Sequence, residues 1–227
     1  MHRSCECFAP AHSNVKWAEM VIHADTQDRN SEAWRSLLNL IDEAAEDRRE
    51  VFDPKKELGA ELWGQIEVLP KEISKLKNIK HLLLYGSSLS RIPQEIGEME
   101  ALEEFTPYTS YKLHYFPYEI TKCKKLKSST VSTRALYGNH KNFAPFPRLK
   151  GNPVQSYDNP KCSICQKTDG VYGLSQVWVS CRVATDVLPL LVYTCSKECV
   201  EKIPSGANGY IAKHHKGGIG LYQPGKK

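Results

Sequence analysis

Hydrophobic positions in this chain follow three different rhythms. In NSEAWRSLLNLIDEAAEDRREVF, residues 30–52, the side chains of Trp34, Leu37, Leu38, Ile41, Ala44 and Ala45 return at helical spacing. They draw one apolar face of an amphipathic helix. Asn30 or Ser31 can cap its start, Glu32 suits the positive end of its dipole, and Asp53-Pro54 ends it. The pattern predicts a helix over 31–51 with one side to bury.

The second rhythm is longer. LPKEISKL at 69–76, IPQEIGEM at 92–99 and FPYEITKC at 116–123 align on Pro70, Pro93 and Pro117, which lie 23 and 24 residues apart. Between them Leu76, Ile79, Leu82, Leu84, Leu89 and Ile92 form one turn of a pattern. Met99, Leu102, Phe105, Pro107, Leu113 and Phe116 form the next, and Cys123, Leu126, Ser129, Val131 and Leu136 a third. A fourth turn is stretched, with 30 residues from Pro117 to Pro147. Self-similarity of this period means supersecondary units that cannot bury an apolar side alone and must stack. Side chains alternate along a strand, so the leucines point inward. His81, Leu83 and Tyr85 then line the opposite face, followed by Glu104, Thr106 and Tyr108, and by Ser128, Thr130 and Ser132. Cys123 stands on a core leucine position and reads as a small buried hydrophobe.

These units resemble the leucine-rich repeat family in its roughly 23-residue form, over residues 64–150. Ser87 and Ser110 stand where that family usually has Asn. The resemblance implies a short solenoid whose concave sheet docks a partner protein. It also implies covers at both ends, the helix at 31–51 being the N-terminal one. Small proteins of this kind look bacterial and act as adaptors, or as immunity or neutralising proteins.

The third rhythm is β-rich: VYGLSQVWVSC and VLPLLVYTC, suited to a hairpin or a short sheet. Cys162-x-x-Cys165 precedes these runs, and Cys195-x-x-x-Cys199 follows with Ser196 placed to cap a helix. Two separated pairs of thiolates can supply the four soft ligands of a tetrahedral zinc ion. A disulfide framework and unligated thiols are the alternatives. The segment YTCSKECVEKI resembles the end of the TRASH/YHS-type treble-clef zinc fingers, which implies a structural zinc held by Cys162, Cys165, Cys195 and Cys199. Cys181 lies on a predicted strand, where it faces a core, replaces a ligand, or serves as a nucleophile with His214 or His215 as its only nearby bases. His2, Cys5, Cys7 and His12 make a weaker metal-ligand pattern in a terminus without periodicity.

Charge adds one contrast. Residues 1–68 carry 8 basic and 14 acidic groups, and residues 69–227 carry 23 and 12, so the two parts have net charges of −6 and +11. Either they attract each other or the basic part meets an acidic partner. GGIG near the end lacks the lysine and hydroxyl of a phosphate loop, and the Gly-rich basic tail reads as loosely packed. No stretch is long and apolar enough to span a membrane, and the first twenty residues lack the apolar core of a secretory signal. Eight cysteines with no such signal point to a reducing, cytoplasmic setting and to metal or buried thiols.

The expected architecture is an α/β repeat fold: an N-terminal segment with a helical cap (1–63), leucine-rich repeats (64–150), a four-cysteine zinc module of α+β type (151–210) and a basic tail (211–227). The expected function is non-enzymatic protein binding by a chain that is monomeric outside its complex. Nucleic-acid binding through the zinc module and tail is the first alternative. A cysteine-dependent enzyme using Cys181 is the second.

Overall fold

The computed structural model describes residues 22–139, 145–149, 160–168, 173–218, 220–222 and 224. The chain is a mixed α/β structure with one parallel and one mixed sheet. His2, Cys5, Cys7, His12 and most of the glycine-rich stretch at 151–160 lie outside the described residues.

Helix α1, Glu32–Glu46, is capped by Ser31, whose hydroxyl accepts the Trp34 N–H at 3.2 Å. It buries Trp34, Leu37, Leu40, Ile41 and Ala44. The helix is shorter than expected. Asp47 closes it, Arg48 turns left-handed at φ 57°, and Val51–Phe52 forms strand β1. Asp53-Pro54 therefore starts an element and does not end one. The Asp53 side chain accepts the Lys56 N–H, and Pro54 begins helix α2, Pro54–Trp63, interrupted at Gly59. Proline suits a first helical turn because its missing N–H has no partner there anyway.

The repeats then stack. Strands β2 (His81–Leu83), β3 (Glu104–Thr106) and β5 (Ser128–Ser129) follow β1 in a parallel sheet of order β1-β2-β3-β5. Val51, His81, Glu104 and Ser128 lie in one register row, and Phe52, Leu82, Phe105 and Ser129 in the next. Short 3-10 helices return the chain: η1 Lys71–Lys75, η2 Gln94–Glu98 and η3 Tyr118–Lys122, each entered through Pro70, Pro93 or Pro117. A fourth, η4, covers Thr133–Ala135. The inward positions of the pattern are buried, from Leu76 to Phe116, and Ile73, Ile96 and Ile120 join them from the 3-10 side. Leu126 is half-buried. Packing between η2 and η3 is close enough that a Cβ on Gly97 would stand 2.7 Å from the Glu119 carbonyl oxygen. Cys123 is buried and donates to the Ile96 carbonyl at 3.2 Å, and burial pushes its thiol up to about 12.

Ser87 and Ser110 are buried and bonded to each other through their hydroxyls at 2.6 Å, while the Ser110 hydroxyl also donates to the Leu84 carbonyl. They satisfy turn backbone inside the stack, where unpaired groups would cost about 1–3 kcal/mol each.

Beyond η3 the expected fourth turn does not form at Pro147. Beside the first sheet, Val68 and Arg91 form an isolated parallel bridge. Strand β4, Phe116–Pro117, takes its next partner from the hairpin β6 (Ser175–Val183) and β7 (Asp186–Thr194): Phe116 faces Leu190 and Pro117 faces Leu191. This second sheet has the order β4-β7-β6. The hairpin tip meets the last strand of the first sheet. The Thr185 hydroxyl accepts the Ser129 N–H at 3.1 Å and donates to the Ser129 carbonyl at 2.8 Å. So the open edge is covered by a side chain imitating a strand, a usual way to blunt an edge. One continuous core runs from α1 through the repeats to Val177, Val179, Leu188 and Leu190.

Among the described residues of the tail, the segment 215–218 is packed rather than loose. His215 pairs with Trp178 by two backbone hydrogen bonds, of 2.8 and 3.0 Å, and Lys216 accepts from the Leu149 N–H. At Gly217, φ is +73° and a Cβ would stand 2.0 Å from the Pro147 carbonyl oxygen. Glycine here permits close approach, not looseness.

Of the opposite charges noted in the sequence, several meet across residue 68: Lys75 with Asp42, Lys80 with Glu50, Lys112 with Glu67 and Arg91 with Asp25. The first two are exposed, where such pairs stabilise by about 0–1 kcal/mol. No helix among the described residues is long and apolar enough to cross a membrane.

Candidate metal centre and docking face

Three local structures bring the four cysteines together. The first is a knuckle at 162–167. The Cys162 carbonyl accepts the Gln166 N–H at 2.9 Å, the Cys162 N–H donates to the Lys167 carbonyl at 2.8 Å, and Gln166 takes the left-handed φ of 65° the turn needs. The second is the end of β7. There the Ser163 N–H donates to the Tyr193 carbonyl, and the Tyr193 N–H donates back to the Ser163 hydroxyl at 3.1 Å, which lays the knuckle beside Cys195. The third is helix α3, Lys197–Glu201, capped by the Ser196 hydroxyl accepting the Cys199 N–H. That short turn returns Cys199 to the same point.

The four sulfurs lie within 4.8 Å of one another. Cys165 Sγ is 3.4 Å from Cys195 Sγ, and Cys195 Sγ is 3.7 Å from Cys199 Sγ. All four are free thiols, so no disulfide competes for them. The Lys167 N–H and then the Cys195 thiol favour the Cys165 thiolate and lower its pKa to about 7. Cys195, the donor to that thiolate, is raised correspondingly, and burial raises Cys199. A cation at the centre would replace the shared protons, the usual coupling between metal binding and pH. These four cysteines could hold a metal ion, and the site sits against the 3-10 side of the repeats. Gln94 ties it there: its Nε2 donates to Glu119 Oε1 at 2.8 Å and to the Lys161 carbonyl, and its Oε1 accepts the Lys161 N–H.

Cys181 stands elsewhere. It is on β6 opposite Leu188, belongs to the core, and burial raises its thiol. It is not among the grouped ligands.

The parallel sheet presents the other predicted site. His81, Leu83, Glu104, Thr106 and Ser128 are half-buried on its outer face, Thr130 is exposed, and His81 Nδ1 is 2.9 Å from Glu104 Oε2. Tyr85 and Tyr108 are 47% and 46% exposed, with ring centroids 6.0 Å apart, and Lys55 Nζ lies 4.8 Å from the Tyr85 centroid. Ser132 departs from the expectation. It is buried, and its hydroxyl accepts the Thr109 N–H, because the chain turns into η4 at that point. Val51 joins the face at 46% exposed. The sequence pattern placed it at the end of a helix; its position before Phe52 and the Asp-Pro pair was the available signal.

No family model matches this chain, and no curated protein matches it. Among solved structures, a leucine-rich-repeat protein of Leptospira interrogans aligns with 25% identity over 37% of this chain and 25% of its own, at a TM-score of 0.28. This chain thus spans about a quarter of that protein's length, and at that score the overlap carries no argument.

Proposed function

We propose that the chain is a non-enzymatic protein-binding molecule: a short leucine-rich-repeat solenoid that docks a partner on its parallel sheet, with a zinc-stabilised module at its C-terminal end. The adjacent, exposed Tyr85 and Tyr108 carry this reading. Both rings stand in the turns that follow β2 and β3, exposed and tilted against each other, and interface centres are enriched in such aromatics. Val51, in register with His81, adds an exposed apolar side chain to the same sheet face. An adaptor or neutralising role follows if the partner is an effector. A pull-down with the wild-type chain against Tyr85→Ala/Tyr108→Ala tests it: the double variant loses the partner. Equal retention would move the interface off this face.

Zinc is the metal the donor set favours. Four thiolates at a Zn–S distance of about 2.3 Å stand about 3.8 Å apart in a tetrahedron, close to the 3.4 and 3.7 Å separations of neighbouring sulfurs. With all four positions taken by thiolates, the ion is structural and leaves no open position for a substrate. Elemental analysis should give one zinc per chain; a metal-free, folded chain with four titratable thiols would refute it. The raised Cys181 thiol speaks against nucleophilic use, since the thiolate is the reactive form.

A further inference from the structure

A cleft opens at the end of the sheet beside the tyrosines. Lys55, Trp63, Gly86, Thr109 and Lys112 are among its lining residues. Two of its polar groups lack partners among the described residues. Trp63 is 1% exposed, and among the described residues its indole Nε1–H finds no acceptor; Thr109 is half-buried, but its hydroxyl oxygen is shielded from solvent and likewise unbonded among them. A buried donor left unmade costs about 1–3 kcal/mol, so each such group calls for an explanation, a bound group being one.

Thr109 adds a second oddity. It is the repeat equivalent of Gly86, 23 residues earlier, and both are left-handed, at φ 60° and 62°. Glycine takes that conformation freely; a β-branched residue does not. The strained position therefore carries a hydroxyl where the turn alone would prefer none.

The charge in the cleft is positive. Lys112 is partly offset by Glu67, 3.4 Å away, while Lys55 lies over Tyr85 and so joins the cleft to the aromatic patch. The indole N–H and the two ammonium groups can only donate, the threonine hydroxyl can donate as well, and the charge is positive. They fit a group that only accepts.

We infer that this cleft receives an acidic side chain, Asp or Glu, of the partner protein whose body covers Tyr85 and Tyr108. The carboxylate accepts from Trp63 Nε1–H and the Thr109 hydroxyl and is flanked by Lys55 and Lys112. Charge-assisted bonds of this type fix register as well as adding affinity. The inference rests on the docking face proposed above.

The test uses the full-length 15N-labelled chain and two blocked dipeptides, acetyl-Glu-Glu-amide and acetyl-Gln-Gln-amide. The Glu peptide should shift the Trp63 indole resonance saturably, with a Kd on the order of 1–10 mM; the Gln peptide should not. Lys55→Met/Lys112→Met should weaken the response at least about tenfold, and added salt should weaken it too. Thr109→Val keeps the β-branched shape and should also weaken it, which covers the case in which the Trp63→Phe variant used for assignment does not fold. Equal responses to the two peptides, or no Trp63 shift, would overturn the inference. The pull-down with Tyr85→Ala/Tyr108→Ala reports on the docking face, separately from the dipeptide response of the unsubstituted chain. A lost partner with no dipeptide response therefore refutes the cleft alone, and a dipeptide response with the partner retained refutes the docking face alone.

Discussion

The repeat turns and the hairpin share one core but are held in it by different means. Each repeat is stabilised by neighbours of its own kind: Leu82 beside Phe105, Ile96 near Ile120, Ser87 bonded to Ser110. Its information is periodic and local. The hairpin has no such neighbours. It joins the stack through β4, through the Thr185 hydroxyl on Ser129, and through a cysteine knuckle tied down by Gln94. The lesson is that a repeat array need not end on a degenerate repeat. A foreign hairpin can take the next place in one ladder while a single side chain finishes the other.

The largest test of that contrast is metal removal. Stripping the metal, or replacing Cys199 by Ser, should cost several kcal/mol, since a structural site of four thiolates contributes on the order of 10 kcal/mol when it holds zinc. Hydrogen exchange should show protection lost first at 160–168 and 195–203, with β2 and β3 still protected. Uniform loss, or none, would erase the distinction between the two regions. Next come Leu82→Ala in the repeats and Leu190→Ala in the hairpin, both fully buried. Each should destabilise by about 2–5 kcal/mol. Because the core is continuous, calorimetry of both variants should show a single transition. Two transitions would make the regions separate folding units.

Acid should act on the hairpin side. Burial, with His214 adding to it, lowers the His215 pKa to about 4 from the usual 6.5. Its Nδ1 accepts the Gly217 N–H, so the folded ring is held neutral. The unfolded chain binds the extra proton between those values, so this contribution is complete above pH 6.5 and is lost as pH falls toward 4, by up to about 3 kcal/mol. His215→Phe should flatten that part of the stability profile measured by denaturant titration; an unchanged slope would place the acid sensitivity elsewhere. The smallest effect belongs to the repeats. Thr109→Gly relieves a left-handed β-branched residue and should raise stability by about 1 kcal/mol. A fall in the melting temperature would show that the threonine is not strained.

Much of the fold is legible in the sequence because its signals are short-range. Prolines spaced 23 and 24 residues apart, alternating leucines and the two cysteine pairs each need only a few neighbouring residues to specify what they form. Readings failed where one local signal has two meanings. Asp53-Pro54 serves equally as a stop or a start, and the choice went to a start because Val51 and Phe52 have a sheet to join. The Gly-rich tail reads as loose until Pro147 is found against Gly217.

By itself, then, the sequence determined the stacking turns, the inward and outward sides of their strands, and which four cysteines belong together. Only the tertiary structure decided that β7 succeeds β4, that Ser132 turns inward, that Thr185 covers Ser129, and that Trp63 and Thr109 share a cleft with two lysines. These contacts join residues tens of positions apart in sequence, and no local pattern encodes which distant partner will satisfy an exposed edge or leave a buried donor unpaired.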